Sequence, residues 1–293
     1  MQRAERGEET RMTATFVEID WVREHLADPS VRIVDTRSMP HGAVVDAPSG
    51  ATQYAAGHLP GAVHLDYADD LADPATPYAA RVAPPELFAR VVAQHGIGDA
   101  TTVIAYDDGD VPYAARLVWM FRYYGHDDVH VMAGGFKAWR AANLPVDTAV
   151  PQYPAATFTP RARPGLRATR EDVLAVAEGR SDAQLLETQR DKTYAMRDHD
   201  IAGAVRLSAN DLLEDTRGGR VAPREKLDEL VAARGLDPAK RTIVSCGSGV
   251  SASGSYLALL EAGFSDVAVY DGSWMEWSHD ALPTVPKEKP GAR

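Results

Sequence analysis

The chain has 293 residues, which is long enough for one large domain or two ordinary ones. Hydrophobic residues make up 45% of it and charged residues 25%, as is typical of a soluble globular protein. The net charge of −11 disfavours nucleic acids and anionic membrane surfaces as partners, and a single cysteine excludes an internal disulfide framework or a cysteine-rich metal site. No apolar run approaches the ~18 residues of a membrane span. We therefore expect a cytoplasmic protein without a metal, a cofactor or a membrane partner.

The chain begins with a charged segment and continues into two regions of mixed β-like and helical pattern. Residues 1–12 carry charges of both signs and predict a flexible tail rather than a targeting peptide. A first domain is predicted over residues 13–145, and a proline-rich stretch without periodicity predicts a linker over residues 146–166. A second domain is predicted over residues 167–293.

The alternation of strands and helices is clearest in the second half. Its short apolar runs predict strands at Gln184–Glu187, Thr242–Ser245 and Val267–Tyr270, and its helical patterns cover residues 224–234 and 251–262. Strands that alternate with helices are joined by crossover connections, which favour a parallel sheet. We therefore predict α/β domains, each with a mainly parallel sheet and helices on both faces.

Three sequence matches, in the same order along the chain, relate the two halves. "IVDTR" is matched by "LLETQ", and "HLPGAVHL" by "DIAGAVRL". "YGHDDVHVMAGGFKAW" at residues 124–139 lies over "AGFSDVAVYDGSWMEW" at residues 262–277, with six of the sixteen positions identical. The matches indicate a tandem duplication of one domain.

The only cysteine lies where a strand, a glycine-rich loop and a helix meet. Cys246 follows the predicted strand Thr242–Ser245, and Gly247 and Gly249 allow backbone conformations that bulkier side chains resist. Successive amides of such a loop, together with the N-terminus of the following helix, form a nest for an anion. We therefore predict a nucleophilic cysteine whose thiol has a lowered pKa, with Ser248 as a further hydrogen-bond donor.

The first half has a different residue at the corresponding place. Aligning residues 102–106 with residues 242–246 puts Tyr106 at the position of Cys246, and the loop "DDGDVP" that follows carries three carboxylates. A negatively charged loop would repel an anion. The comparison predicts that the second half is catalytic and that the first is structural.

From about residue 17 to residue 286, the chain resembles the two-domain rhodanese-type sulfurtransferases. The motifs "GHLPGAVHL", "CGSGVSAS" and "VYDGSWMEW" carry the resemblance, and the cysteine loop is similar to that of the mercaptopyruvate branch. The resemblance implies a ping-pong transfer. Cys246 would take a sulfane sulfur from a small anionic donor, 3-mercaptopyruvate, hold it as a persulfide and pass it to a thiol, cyanide or thioredoxin-like acceptor. Ser248 is implied as a second catalytic residue, in an active-site loop completed by Gly247, Gly249, Val250, Ser251 and Ala252.

The cations expected to bind the donor are only partly preserved. Gln189 stands where the family usually has an arginine, and the position of the first substrate arginine falls near Thr193. Arg190 and Lys192 are the candidates to fill that space, and Arg197 matches the second substrate arginine. We expect Arg190 and Arg197 to bind the donor.

The mercaptopyruvate branch also draws an aspartate and a histidine from its first domain. The corresponding stretch of this chain offers Asp66 and Asp69 but no histidine. Ser248 would then act without that proton relay.

Another donor and two other classes of protein stay open as alternatives. Thiosulfate is the alternative donor by the same mechanism. A phosphatase with a similar loop would need an arginine six residues after the cysteine, where this chain has Ala252. A non-catalytic rhodanese-like binding module would usually lack the cysteine that this chain retains. A sulfurtransferase is therefore the preferred hypothesis.

Overall fold

The computed structural model describes residues 15–39, 47–78, 80–110, 112–213 and 219–287. The predicted tail at residues 1–12 lies outside these ranges and stays a prediction. Within the described ranges, no helix has the length and apolarity needed to cross a membrane.

The first half of the chain forms a five-stranded parallel sheet. Its strands are β1 (Phe16–Val17), β2 (Val31–Asp35), β3 (Val63–His64), β4 (Thr102–Tyr106) and β5 (Val129–Met132). They lie in the order β1-β5-β4-β2-β3, and every neighbouring pair is parallel. Parallel neighbours require crossover connections, which here contain helices. The helices of this half are α1 (Ile19–Glu24), α2 (Gly50–Ala56), α3 (Pro85–Gln94), α4 (Pro112–Tyr123) and α5 (Gly135–Ala141).

The second half repeats this sheet and adds a small antiparallel pair. Its strands are β6 (Arg167–Ala168), β7 (Gln184–Glu187), β8 (His199–Ile201), β9 (Ala204–Arg206), β10 (Thr242–Ser245), β11 (Val267–Tyr270) and β12 (Thr284–Pro286). The parallel sheet has the order β6-β11-β10-β7-β9, and β8 pairs with β12 outside it. The helices are α6 (Arg170–Ala177), α7 (Asp191–Tyr194), α8 (Ala209–Leu212), α9 (Arg224–Ala233), α10 (Val250–Glu261) and α11 (Ser273–His279), after a 3₁₀ turn at Pro164–Leu166.

The predicted pair of α/β domains with mainly parallel sheets is confirmed. The three strands predicted in the second half have the predicted bounds, and α9 and α10 lie within one residue of the predicted helices. Consecutive residues of β2 and β4 belong to different apolar cores: Val34 and Ala105 to one, Ile33 and Ile104 to another. Because neighbouring strand residues point to opposite faces, both faces of this sheet are covered.

The two domains share an apolar core. The cluster that contains Val34 and Ala105 also contains Leu186 and Val244 of the second sheet. Helices α4 and α10 pack against each other within this core, and α10 ("VSASGSYLALLE") is apolar or small on nearly every side, as a buried helix requires. Both helices follow the central strand of their own sheet, so their N-termini lie at the carboxyl ends of β4 and β10, where ligands bind in open parallel sheets.

The proline-rich connection lies against the first domain. Residues 142–163 form no helix and only a single bridge, between Asp147 and His58. The Tyr153 hydroxyl donates a hydrogen bond to the Gly61 carbonyl (2.7 Å), and the Arg161 amide donates one to the Tyr124 carbonyl (2.8 Å). This connection brings the chain to the start of the second domain.

Candidate active site

Cys246 lies directly after β10, in the loop that leads into α10, and is 2% exposed. Three hydrogen bonds with the segment after β11 hold the backbone of Cys246 and Gly247. The Cys246 amide donates to the Ser273 hydroxyl (3.0 Å), and the Trp274 amide donates to the Cys246 carbonyl (3.0 Å). The Met275 amide donates to the Gly247 carbonyl (2.9 Å). The first residues of α11 therefore hold the cysteine loop in place.

The cysteine sulfur lies in a cradle of backbone amides. The amides of Ser248, Gly249 and Ala252, in the loop and the first turn of α10, act on its Sγ as hydrogen-bond donors that favour the thiolate and lower the pKa. Gly249 is the N-cap residue before α10 and has φ 81°, a left-handed conformation that favours glycine. A Cβ on this glycine would also lie 2.8 Å from the carbonyl oxygen of Asp271. The close approach of the Asp271 backbone therefore explains why position 249 is a glycine.

The loop amides lower the pKa of the Cys246 thiol as predicted, but the prediction that this pKa lies below its ordinary value is wrong. Burial raises this pKa, because the charged thiolate loses its hydration, and the nearby Glu187 raises it further. The amides of Ala252, Ser248 and Gly249 act in the opposite direction but do not outweigh these two effects. The sequence shows the amide donors, but it does not show how completely the sulfur is buried.

The register of the two sheets changes the predicted counterpart of Cys246 by one residue. Asp35 pairs with Tyr106 in the first sheet, whereas Glu187, its match in the repeat, pairs with Ser245. Tyr106 therefore corresponds to Ser245, and Asp107 is the counterpart of Cys246. Tyr106 is fully buried inside its domain, where its hydroxyl donates to the Asp35 carboxylate (2.7 Å).

The loop after β4 in the first domain also forms a cradle of backbone amides, and the carboxylate of Asp107 lies in it. One oxygen accepts the amides of Gly109 (2.8 Å) and Asp110 (3.1 Å), and the other those of Tyr113 (3.2 Å) and Ala114 (3.3 Å). Ala114 is the third residue of α4, as Ala252 is of α10, and Gly109 and Asp110 lie as far after their strand as Ser248 and Gly249 do after theirs. The same loop geometry therefore binds a carboxylate in one domain and encloses a thiol in the other.

A cavity of about 610 Å³ between the two domains opens onto the cysteine loop. The second domain contributes Gln189, Arg190, Thr193, Cys246, Gly247, Ser248, Val250, Ser251, Trp274, Met275 and Ser278 to its wall. The first domain contributes Arg37, Ser38, Gln53, Tyr67, Asp107, Asp108, Asp110, Pro112 and Tyr113. Two arginines and three aspartates therefore face one small volume, and both cradles open onto it.

The structure brings most of the predicted site residues together. Cys246, Gly247, Ser248, Val250, Ser251 and Arg190 all line the cavity, and Gly249 and Ala252 contribute amides from behind it. The Arg190 side chain reaches across the domain boundary and donates to the Asp110 carbonyl (3.0 Å). Lys192 is exposed and is not part of the cavity wall, so Arg190 is the cation in this region.

Arg197 is not brought into the cavity, contrary to the expectation that it contacts the donor. Its side chain is 7% exposed, and its Nη2 pairs with Glu187 (2.5 Å) and Asp200 (2.7 Å). The guanidinium lies 4.4 Å from the centre of the Trp274 ring, which does line the cavity. The sequence spacing matched the family arginine but did not reveal the two carboxylates that hold it.

Arg37 is a cavity residue that the sequence prediction missed. It lies at the end of β2, and its guanidinium pairs with Asp35 and donates to the Gly57 carbonyl (2.7 Å). The match of "IVDTR" with "LLETQ" aligns Arg37 with Gln189, so the repeat itself contained the signal. Asp66, in contrast, is not part of this cavity wall and caps a turn by accepting the Ala68 amide (2.8 Å).

The described residues contain no group of three or more His, Cys, Asp or Glu side chains placed to hold a metal ion.

The profile of the rhodanese-like domain matches this chain twice, over residues 18–142 and 171–280. The chain belongs to this family, as the sequence motifs predicted. It is 31% identical to the 3-mercaptopyruvate sulfurtransferase of Escherichia coli K12 over 283 residues, covering 94% of this chain and 99% of the relative. It is 30% identical to the thiosulfate sulfurtransferase of Corynebacterium glutamicum over 281 residues, covering 90% and 87%.

The crystal structure of SseA from Escherichia coli, described as having the rhodanese fold of 3-mercaptopyruvate sulfurtransferases, superposes with a TM-score of 0.81 at 30% identity. The match covers 89% of this chain and 99% of SseA. Sequence and fold together identify the protein as a sulfurtransferase with two rhodanese-like domains.

Proposed function

We propose that this sulfurtransferase takes its sulfur from 3-mercaptopyruvate, holds it as a persulfide on Cys246 and passes it to a thiol, cyanide or thioredoxin-like acceptor. The observation that carries the proposal is the amide cradle. Three amides surround the cysteine sulfur, and the equivalent cradle of the first domain accepts the carboxylate of Asp107. A site of this kind stabilises negative charge on a thiolate or a persulfide.

The first half-reaction forms one S–S bond and breaks one C–S bond. The Cys246 thiol first releases its proton to solvent in the cavity. The thiolate then attacks the sulfur of 3-mercaptopyruvate, and the electron pair of the C–S bond passes into the adjacent carbonyl to give the enolate of pyruvate. A proton taken up at carbon then completes pyruvate. We assign the Ser248 hydroxyl, which lines the cavity beside the cysteine, to donate a hydrogen bond to the enolate oxygen.

The second half-reaction returns the enzyme to its starting state. A thiolate or cyanide attacks the outer sulfur of the persulfide, the S–S bond breaks, and its electron pair returns to Cys246 as thiolate. The thiolate is again stabilised by the amides of Ser248, Gly249 and Ala252. Because turnover requires a reduced thiol, we also propose a reducing compartment, the cytoplasm.

The charges of the cavity support 3-mercaptopyruvate as the donor. The loop residues beside the sulfur are neutral, so a dianion bound there would rely on amides and hydroxyls alone. The carboxylates of Asp108 and Asp110 in the same cavity would repel such a dianion more strongly than a monoanion. The carboxylate of 3-mercaptopyruvate lies away from its sulfur and is suited to Arg190 on the cavity wall.

Steady-state kinetics with the two donors and cyanide as the acceptor test this assignment. We expect 3-mercaptopyruvate to have the higher kcat/KM. A kcat/KM at least about tenfold higher for thiosulfate, a difference of about 1.4 kcal/mol in transition-state free energy, would reverse the assignment. Thiosulfate is then the donor by the same persulfide mechanism. The Corynebacterium relative is named a thiosulfate sulfurtransferase.

A further inference from the structure

A fully buried arginine of the first domain lies against the cysteine loop of the second. Arg116 is in α4, and its Nη2 donates to the Ala80 carbonyl (2.6 Å) and to the Asp271 carboxylate. Its Nη1 lies 3.2 Å from the point that a Cβ on Gly249 would occupy. Among the described residues, Nη1 and Nε have no hydrogen-bond partner. The guanidinium therefore packs against the glycine whose amide donates to the cysteine sulfur.

Asp271 completes this arrangement from the second domain. It directly follows β11, is 1% exposed, and accepts the Val82 amide of the first domain (3.0 Å). Although burial disfavours its charged form, Arg116, Arg167 and Arg81 lower the pKa of Asp271, so it is a carboxylate at neutral pH. Its own carbonyl oxygen is the other close neighbour of Gly249. The segment that begins with Asp271 continues into the residues that hold the backbone of Cys246.

In the described part of the first domain, this ion pair has no equivalent. Helices α4 and α10 have the same length and begin at Pro112 and Val250, so the counterpart of Arg116 on α10 is Gly254, which has no side chain. The counterpart of Asp271 after β5 is Ala133, an apolar residue. Within the described residues, an ion pair across the domain interface therefore supports only the cradle that holds the nucleophile.

We propose that Arg116, through Asp271, is a positioning residue that holds the Gly249 amide at the Cys246 sulfur. The first domain thereby contributes to catalysis without supplying a nucleophile. An arginine suits this role because its planar fork contacts the Ala80 carbonyl, the Asp271 carboxylate and the glycine at once, whereas the single ammonium of a lysine cannot span all three. The inference rests on the proposed role of Cys246 as the nucleophile.

Variants Arg116→Met and Arg116→Lys test the proposal, with Arg167→Met as the matched control. Arg167 pairs with the same carboxylate from β6 (3.3 Å). For both Arg116 variants we expect kcat to fall about tenfold or more while the KM of the donor changes less than about twofold, because misplaced amides affect the transition state rather than donor binding. The rate of Cys246 alkylation by iodoacetamide should fall in parallel. Arg167→Met should change both rates by less than about twofold.

Equal losses in the Arg116 and Arg167 variants would overturn the proposal, because they would show that the ion pairs only stabilise the fold. Full activity of Arg116→Met, or full rescue by Arg116→Lys, would overturn it as well. If Arg116→Met does not fold, Arg116→Lys decides the matter, since it retains a positive charge beside Asp271. Alkylation needs no sulfur donor, so this measurement still tests the positioning role if neither donor forms a persulfide.

Discussion

The two domains build the same cradle of backbone amides and fill it differently. In the first domain the carboxylate of Asp107 accepts four amides, and the cradle is satisfied by its own side chain. In the second domain the smaller sulfur of Cys246 accepts three amides, and burial together with Glu187 raises the pKa of its thiol. Both loops present the same kind of amide donors, so the side chain at one position determines whether the cradle holds a structural carboxylate or the proposed nucleophile.

If the cradle of the second domain is the catalytic one, turnover depends on the shape of the cysteine loop. Gly249→Ala tests this dependence and should have the largest effect on kcat. An alanine at φ 81° costs about 1–2 kcal/mol of backbone strain, and its Cβ would clash with the Asp271 carbonyl. We expect the loop to shift and kcat to fall about 100-fold. The control is Gly254→Ala in α10, where a Cβ meets no atom within 4 Å. Wild-type kcat in Gly249→Ala would contradict the role of the cradle.

The cavity wall on the side of the second domain is tested next, by Arg190→Gln. Loss of a charge-assisted hydrogen bond to the donor carboxylate costs about 1.5–3 kcal/mol, which corresponds to a KM about 10- to 150-fold higher. kcat should change much less. Lys192→Gln is the matched control, because Lys192 is exposed and lies outside the cavity wall. A similar rise of KM in both variants would show that the general charge of this region is important, and not the position of Arg190.

Asp107→Asn tests the structural role assigned to the cradle of the first domain. The neutral amide loses the charge in the hydrogen bonds with the loop, and we expect the free energy of unfolding to fall by about 1–3 kcal/mol, as measured by urea denaturation. Cys246→Ala in the second cradle serves as the control, and should destabilise the protein less because the thiol is neutral. If Asp107→Asn leaves stability unchanged and instead abolishes turnover, the first cradle is catalytic and the assignment of roles is reversed.

The smallest expected effect concerns the charge next to the catalytic cradle. Glu187 disfavours the Cys246 thiolate, so Glu187→Gln should lower the pKa of the thiol. The midpoint of the pH profile of Cys246 alkylation should then move to lower pH. Asp200→Asn is the control, since it removes the other carboxylate that pairs with Arg197 and should leave the midpoint in place. A shift to higher pH in Glu187→Gln would contradict this account of the raised pKa.

The sequence predicted the features that depend on local pattern. Strands such as Thr242–Ser245 and the loop after it follow from short apolar runs and glycines, and the repeat predicted two domains of one topology. The predictions that were wrong concern features that depend on how distant parts of the chain are placed in three dimensions. An ungapped match at a strand end is easily one residue out of register, which exchanged Tyr106 for Asp107. The pairing of Arg197 with carboxylates and the burial of Cys246 depend on residues distant in the chain.

Intact mass spectrometry after incubation with 3-mercaptopyruvate tests the central claim most directly. We predict that the protein gains the mass of one sulfur atom, that cyanide removes it, and that peptide mapping places it on Cys246. Cys246→Ser should show neither the added mass nor turnover. A Cys246→Ser variant that still gains sulfur or still transfers it would contradict the assignment of Cys246 as the nucleophile.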